Sequence, residues 1–189
     1  FRFAPAARAR VRGELGLEGK LVIGNVGRLC YQKNQTFLLD VLKAVQQRCP
    51  ESALLLVGEG EDRPDLEEKA RTLGIEDNVM FYGTTDRVER LYWAMDVFAF
   101  PSQFEGLGIA AVEAQAAGLP IVCSEGVPTE TIVTDLALRL PLSAGAGEWA
   151  EAILNGKAPG SRAATADGVT AAGFGVETTA AKIREVWMG

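Results

Sequence analysis

The sequence predicts an α/β fold, a doubly wound parallel sheet flanked by helices. Three observations carry that prediction. Apolar runs of about five residues alternate with helical patterns of about ten, and turn residues mark the joins. The runs are apolar throughout instead of alternating with polar residues, so helices must cover both faces of the sheet. No repeat of fixed period competes with this arrangement. At 189 residues, 48% hydrophobic and 23% charged, the chain suits one domain with a full core and is too apolar for disorder.

The elements follow in order. Residues 6–15 fit a short helix carrying Arg8, Arg10 and Arg12 on solvated surface, with Pro5 in its first turn and Gly16 and Gly19 at its exit. Phe1 in place of Met, with no signal-peptide pattern after it, reads as a start inside a longer protein. Residues 21–26 form a buried strand ended by Gly27. Residues 33–49 place Phe37, Leu38, Val41, Leu42 and Val45 at helical spacing before Pro50. Residues 53–57 make a second strand, broken by Gly58-Glu59-Gly60. Asp62 then caps a helix running through Leu66 and Ala70 to Gly74. Residues 79–82 are a third strand, and Asp86 with Glu89 forms a capping box before Val88, Leu91, Tyr92 and Met95. A strand over 96–100, a helix over 107–117, a strand over 120–123 and a sixth strand over 136–140 complete the alternation. Phe81, Trp93 and Phe98 belong to the core. Residues 144–181 hold twelve Ala and seven Gly. Within this stretch Trp149, Ile153 and Leu154 fit a helix, while 163–175 is ambiguous. Residues 176–187 fit a last helix with Ile183, Val186 and Trp187 near one face.

Composition limits the chemistry. The formal net charge of -6 argues against nucleic acid, although a small phosphorylated ligand needs only a local positive pocket. No apolar run approaches the roughly 20 residues of a membrane helix. The chain has no histidine, so carboxylates, Lys, Arg or backbone dipoles must do any chemistry. Cys30, Cys49 and Cys123 are scattered without a CxxC pair and read as buried thiols of a reducing compartment.

In open parallel sheets ligands bind beyond the carboxyl ends of the strands, where helix N-termini point free N–H groups outward. Arg28 and Lys33 flank the turn after the first strand. They are either surface cations or a clamp for a diphosphate, with Arg as a fixed fork and Lys as a mobile point charge. Neither GxGxxG nor a P-loop is present there. The stretch from Pro101 to Gly108, running on to Glu113, joins the fourth strand to a helix. Gly106 and Gly108 permit close backbone approach, and N–H groups around them face an anion at the helix start. Eight residues of helix cover about 12 Å, so Glu105 and Glu113 are too far apart for a tight dyad. They can grip hydroxyls on different parts of one elongated ligand. Ala110, Ala111, Ala114 and Ala117 surround Glu113 with apolar surface, where an unpaired charge is costly without a ligand or cation. The backbone from Tyr82 to Thr85, at the rim, is placed to read a base edge. Asn34-Gln35-Thr36 matches a glycosylation sequon but sits over this crevice and is discounted.

These segments resemble the C-terminal, nucleotide-sugar-binding domain of retaining glycosyltransferase family 4, of two-domain GT-B fold, and in particular its bacterial exopolysaccharide and capsule branch. The resemblance rests on Val26-Gly27-Arg28 with Lys33-Asn34, on Leu56-Val57-Gly58-Glu59-Gly60, and on Val79-Met80-Phe81-Tyr82-Gly83. Its strongest part is Pro101-Ser102, Phe104-Glu105-Gly106-Leu107-Gly108 and Glu113 through Val122. It covers about residues 20–135.

The resemblance implies a Rossmann-like domain over 20–142. Residues 1–19 would then be a linker and basic helix from an N-terminal domain not in this chain. Residues 143–189 would pack on the domain or return to that other half. It implies that Arg28 and Lys33 bind the donor diphosphate and stabilise the leaving group, and that Glu105 contacts the transferred sugar. Gly27 and the backbone of Gly106, Leu107 and Gly108 would hold the donor, Glu113 the ribose hydroxyls, and the loop near Tyr82 the base. The donor would be a nucleoside-diphosphate sugar, uridine favoured, with no metal or other cofactor, in keeping with the lack of an Asp-x-Asp pair in this crevice. The acceptor, a saccharide or lipid-linked saccharide, would be met through the N-terminal half, in the cytoplasm or at the inner membrane face. The chain alone would be inactive. A GT-B nucleotide-sugar epimerase or hydrolase, or a non-catalytic nucleotide-binding module, are the alternatives. One departure from the family pattern is Gly126-Val127-Pro128-Thr129-Glu130, where the glutamate falls one place late.

Overall fold

A computed structural model of the chain describes residues 1–156, 162 and 165–175. Its strands are β1 (Leu21–Val26), β2 (Ser52–Val57), β3 (Val79–Gly83), β4 (Val97–Phe100), β5 (Ile121–Ser124) and β6 (Ala137–Leu140). They form one sheet in the order β3-β2-β1-β4-β5-β6, every neighbouring pair parallel. The helices are α1 (Pro5–Glu14), α2 (Gln35–Gln46), α3 (Arg63–Leu73), α4 (Val88–Ala94), α5 (Ile109–Ala116), α6 (Gly145–Leu154) and a short α7 (Thr165–Val169). The helix expected over 176–187 lies outside the described residues.

The apolar strands divide their side chains between two cores. Ala53, Leu55 and Val57 of β2, with Phe98 and Phe100 of β4, pack with α1, α4 and α5 on one face. Leu54 and Leu56, with Val97 and Ala99, pack with α2, α3 and α6 on the other. Because successive side chains of a strand point to opposite faces, a run with no polar residue demands helices on both sides. The edge strands are the exception: β3 and β6 are only partly buried, and Leu138 is exposed. Phe98 is fully buried as expected. Trp93 is half-buried, its Nε1 donating to Phe1 O at 3.3 Å. Phe81, on edge strand β3, is also half-buried, with Arg63 over its ring. Only Cys123 of the three thiols is fully buried, and that burial pushes it up to about 11.

Several helix starts differ from expectation for backbone reasons. The helix predicted from residue 33 begins at Gln35. Tyr31–Lys33 form a 3₁₀ turn, and Asn34 takes φ 55°, a left-handed conformation that a short polar side chain tolerates. The helix predicted from residue 107 begins at Ile109 behind Gly108, whose φ of 71° reverses the chain. The Asp86–Glu89 capping box does not form, because Arg87 occupies the cap position and leaves Asp86 one residue too early. Thr85 Oγ1 instead accepts the Arg87 N–H at 3.0 Å, and Glu89 pairs with Arg87. Asp62 stands at its predicted position but already has helical φ and ψ, so only its backbone carbonyl serves the helix, accepting Leu66 N–H at 3.0 Å.

The basic helix is the largest correction to the expected surface. Arg10 is exposed, but Arg8 and Arg12 run inward to the end of α4. Arg8 donates to the carbonyls of Trp93 and Met95, and Arg12 to that of Ala94. Arg162 adds bonds to Tyr92 O at 3.1 Å and Met95 O at 3.0 Å. Three guanidinium groups therefore satisfy the carbonyls that a helix C-terminus leaves open, where the helix dipole favours positive charge. Burial, with the like charge of Arg8 and Arg12, brings the Arg162 guanidinium down to about 10, and Asp96 opposes that shift. Asp96 is the one carboxylate bound to both Arg8 (2.6 Å) and Arg12 (3.0 Å) among the described residues. It also accepts the Val22 N–H at 2.8 Å. Val11 and Leu17 complete the attachment in the core. Asp96→Asn is expected to lower stability by about 2 kcal/mol, measured as an earlier urea midpoint at unchanged slope; an unmoved midpoint would show that the carbonyl contacts alone hold α1.

Candidate functional site

The strand order reverses direction between β1 and β4, from which the chain winds outward to β2 and β3 on one side and β5 and β6 on the other. A crevice opens at such a switch point, at the carboxyl ends. Here the opening is abrupt. β1 pairs with β4 only at Ile23↔Val97 and Gly24↔Phe98. Beyond that, Asn25 Nδ2 donates to Ala99 O at 2.8 Å, and Asn25 Oδ1 accepts from Gln35 Nε2 at 3.2 Å. The same Gln35 nitrogen lies 2.9 Å from Arg28 O. Both amides are fully buried, and they brace the strands where the ladder stops. The one signal for this in the sequence is an Asn inside an otherwise apolar strand.

Two loops meet above the brace. Gln103 N–H donates to Gln32 O at 2.8 Å, Gln32 Nε2 to Phe104 O at 2.9 Å and Asn34 Nδ2 to Pro101 O at 3.2 Å. At their centre Lys33 Nζ lies 2.6 Å from Glu105 Oε1, with side-chain exposures of 18% and 5%. The ammonium also stands 5.2 Å from the centroid of the Phe100 ring, and the Lys33 stem lies against Gly27. The structure thus joins two of the expected site residues, one from each side of the switch point.

The other expected residues are placed around this pair. Arg28 is exposed, at the rim, and its Nε donates to Glu61 Oε2 at 3.0 Å. Gly106 and Leu107 are exposed, and the backbone N–H groups of Gly106, Leu107 and Gly108 have no partner among the described residues. Glu113 sits more than one turn into α5, half-buried, among the fully buried Ala111, Ala114 and Ala117. Its carboxylate is not left unpaired as the sequence suggested, because Tyr92 Oη donates to Oε2 at 2.9 Å. Burial pushes this carboxyl up from its ordinary value, and the Tyr92 bond opposes the rise. Glu105 precedes α5 and is not on it, so the two acids are kept apart by different partners, Lys33 and Tyr92, and not by a length of helix. Tyr82 is exposed on edge strand β3. A cleft of about 260 Å3 beside it is lined by Gly27, Gly58, Thr84, Thr85 and Val88, without Tyr82 itself. Two clefts of about 290 and 370 Å3 open at the opposite, amino ends of β4 and β5.

The loop carrying Glu105 is held from behind by Gly126, Thr131 and Gln115. Glu105 N–H donates to Gly126 O at 3.0 Å, and the Thr131 hydroxyl donates to Leu107 O. A Cβ on Gly126 would lie 2.3 Å from Gln103 O, so only glycine lets these loops cross. Gln115, fully buried, donates to Thr131 O at 2.8 Å and accepts the N–H groups of Val133 and Thr134. The altered Gly126–Glu130 segment therefore braces the loop through backbone and Thr131.

Residues 8–153 match the model of the family described as glycosyl transferases group 1. The chain is 39% identical over 143 residues to the putative glycosyltransferase EpsF of Bacillus subtilis, covering 75% of this chain and 37% of that protein. It is 38% identical over 145 residues to a GDP-mannose-dependent alpha-(1-6)-phosphatidylinositol monomannoside mannosyltransferase of Mycolicibacterium smegmatis, covering 70% and 38%. Among solved structures, Anabaena Alr3699/HepE in complex with UDP-glucose matches at a TM-score of 0.83 and 27% identity, over 98% of this chain and 53% of that one. The chain thus spans somewhat over a third of the length of these curated relatives.

The Lys33–Glu105 pair is open to a direct test. Glu105→Gln leaves a mostly buried ammonium without its counter-charge and is expected to cost about 2–4 kcal/mol. Adding Lys33→Met to that variant should recover at least half of the loss. Urea unfolding of the two single variants and the double variant measures the coupling, and a coupling near zero would mean that the pair does not hold the two loops.

Proposed function

Since the chain belongs to the glycosyl transferases group 1 family, we propose that it is the donor-binding half of a retaining, family-4 enzyme of GT-B type. Such an enzyme transfers a sugar from a nucleoside-diphosphate sugar to a saccharide or lipid-linked saccharide during polysaccharide synthesis. The observation that carries this reading is the junction of Lys33 and Glu105 across the switch point, beside the unpartnered N–H groups that lead into α5. A diphosphate laid over those N–H groups meets a helix dipole and two cations, Lys33 and Arg28. As the bond to the anomeric carbon breaks, negative charge grows on the departing phosphate oxygen, and these groups meet it without reorganising. Among the described residues the Arg28 side chain is held only by an exposed ion pair with Glu61, which costs little to exchange for phosphate. Lys33, with three donors, can keep Glu105 while it reaches a phosphate oxygen.

In this reading Glu105 accepts from hydroxyls of the transferred sugar, and Gly27 with the backbone of Gly106, Leu107 and Gly108 admits the donor closely. Glu113 accepts from the ribose hydroxyls. The base enters the cleft lined by Thr84, Thr85 and Val88, and is met by the loop that follows Tyr82. The cations and the dipole do the neutralising, with no resident metal. Uridine is favoured by the likeness to HepE in complex with UDP-glucose. The lipid-linked acceptor is supported by the relative named for phosphatidylinositol monomannoside. The acceptor would be met through an N-terminal half, in the cytoplasm or at the inner membrane face, and the chain alone would be inactive. No helix among the described residues is long and apolar enough to cross a membrane.

Calorimetric titration with UDP, GDP and uridine tests this. UDP should bind saturably and more tightly than GDP. Arg28→Ala and Lys33→Ala should each weaken UDP about tenfold while changing uridine about twofold or less. Equal losses for UDP and uridine would overturn the diphosphate clamp, and no saturable signal with either nucleotide would overturn donor binding.

A further inference from the structure

Helices α4 and α5 lie on the same face of the sheet, and one buried hydroxyl joins them. Tyr92 of α4 is fully buried, its ring 5.7 Å from the ring centroids of both Phe98 and Phe1. Its oxygen lies 2.9 Å from Glu113 Oε2 and 3.2 Å from Ala110 O. A phenol has one proton to give, and a carboxylate is the stronger acceptor. The other Glu113 oxygen, Oε1, accepts no hydrogen bond from the described residues. Packing fixes the Tyr92 ring, so its hydroxyl has one place to stand, whereas a glutamate on a helix is otherwise free to turn about three bonds.

We propose that Tyr92 is the positioning residue for Glu113, gripping one carboxylate oxygen so that the other is presented, already oriented, to hydroxyls of the bound nucleotide. This rests on the reading that Glu113 meets the ribose. The side-chain entropy of Glu113 is then lost on folding and not on binding, which raises affinity without adding a contact to the ligand.

Electrostatics supports the same assignment. Burial first, and then the nearby Glu113 charge, pushes the Tyr92 phenol well above its ordinary value, so it stays a donor. For Glu113, burial pushes the carboxyl up, while the Tyr92 hydrogen bond and the positive amino group of Phe1 pull it down. Those two groups are the ones acting on it among the described residues. Of the other elements packed on α5, α7 carries Asp167, which pairs with Arg2, and the 129–131 turn carries the exposed Glu130. Donation to the carboxylate favours its ionised form. Removing the donor therefore raises the pH at which Glu113 becomes neutral and loses the charge that strengthens the hydrogen bond it accepts from a ligand hydroxyl.

The test is calorimetric titration of the full chain with UDP, its 2′,3′-dideoxy analogue and inorganic pyrophosphate, from about pH 4.5 to 8, across the range where a raised glutamate titrates. Glu113→Ala, which removes every hydrogen-bonding atom of the side chain, checks the underlying reading: it should abolish the preference for UDP over the dideoxy analogue, and a retained preference would overturn the ribose assignment itself. Tyr92→Phe should weaken UDP about three- to tenfold at neutral pH, move the acid limb of UDP binding to higher pH, and leave pyrophosphate unchanged. UDP affinity and an acid limb equal to those of the parent would overturn the proposal, as would an equal loss of pyrophosphate, which marks general disruption. If Tyr92→Phe does not fold, 3-fluorotyrosine at position 92 supplies a more acidic donor and should move the acid limb to lower pH; an unmoved limb would overturn the proposal equally.

Discussion

Lys33 and Glu105 meet beyond the point where β1 and β4 stop pairing, between the loops that leave the two strands. The strands pair at two positions, and past them the loops are free to diverge. Here the backbone ladder is replaced by the side chains of Asn25 and Gln35, which satisfy the carbonyls of Ala99 and Arg28 while the strands part. Buried amides of this kind are costly unless bonded; Asn25 is bonded through both its nitrogen and its oxygen, whereas Gln35 is bonded through its nitrogen and its Oε1 has no partner among the described residues. Above them the ion pair links the loops that follow the two strands, and Arg28, Gly106 and Leu107 on those loops are exposed.

The same constraint explains why residues outside the charged pair matter to the site. The loop that carries Glu105 leaves its apolar side chains Phe104 and Leu107 exposed instead of buried in the core, so its conformation is set by what it is bonded to. Gly126 and Thr131 hold it from the side of β5, and Gln115 fixes Thr131 in turn. Helix α4 is held in a comparable way. Three arginines fix its C-terminus, while its first residue, Val88, lines the cleft beside Gly27 and Gly58 and its Tyr92 meets Glu113. One short helix thus borders the cleft at one end and is tied to α1 and Arg162 at the other.

How much of this was legible in the sequence differs from residue to residue. The runs at 21–26 and 53–57 were legible because a strand covered on both faces is apolar along its length, Asn25 being the one exception in these two. The Gly106–Gly108 turn and Glu105 were legible because a helix that receives an anion needs small residues before it. Arg8 and Arg12 were misjudged as solvated, since a charged residue on a short helix shows its partners only when a distant carbonyl and Asp96 arrive beside it. The capping box at Asp86 failed because the start of α4 is decided by packing of Leu91 and Tyr92 more than by the local pair. Tyr92 and Gln115 fell in patterned segments, but nothing marked the polar contacts of either, or of Thr131, because a polar group on an apolar helix face or in a loop has the same local pattern whether or not it has a partner.

The amino-acid sequence by itself determined the layered α/β architecture, the order of its elements and the chain positions of the cations, acids and glycines at the strand exits. Those follow from hydrophobic periodicity and turn chemistry, which act over a few residues. Only the tertiary structure decided which of those groups meet: Lys33 with Glu105, Arg28 with Glu61, Glu113 with Tyr92. The pairs are separated by 33 to 72 residues in the two longer-range ion pairs and by 21 in the phenol–carboxylate bond. Their formation depends on strand order and on where the sheet opens, and no local pattern encodes either.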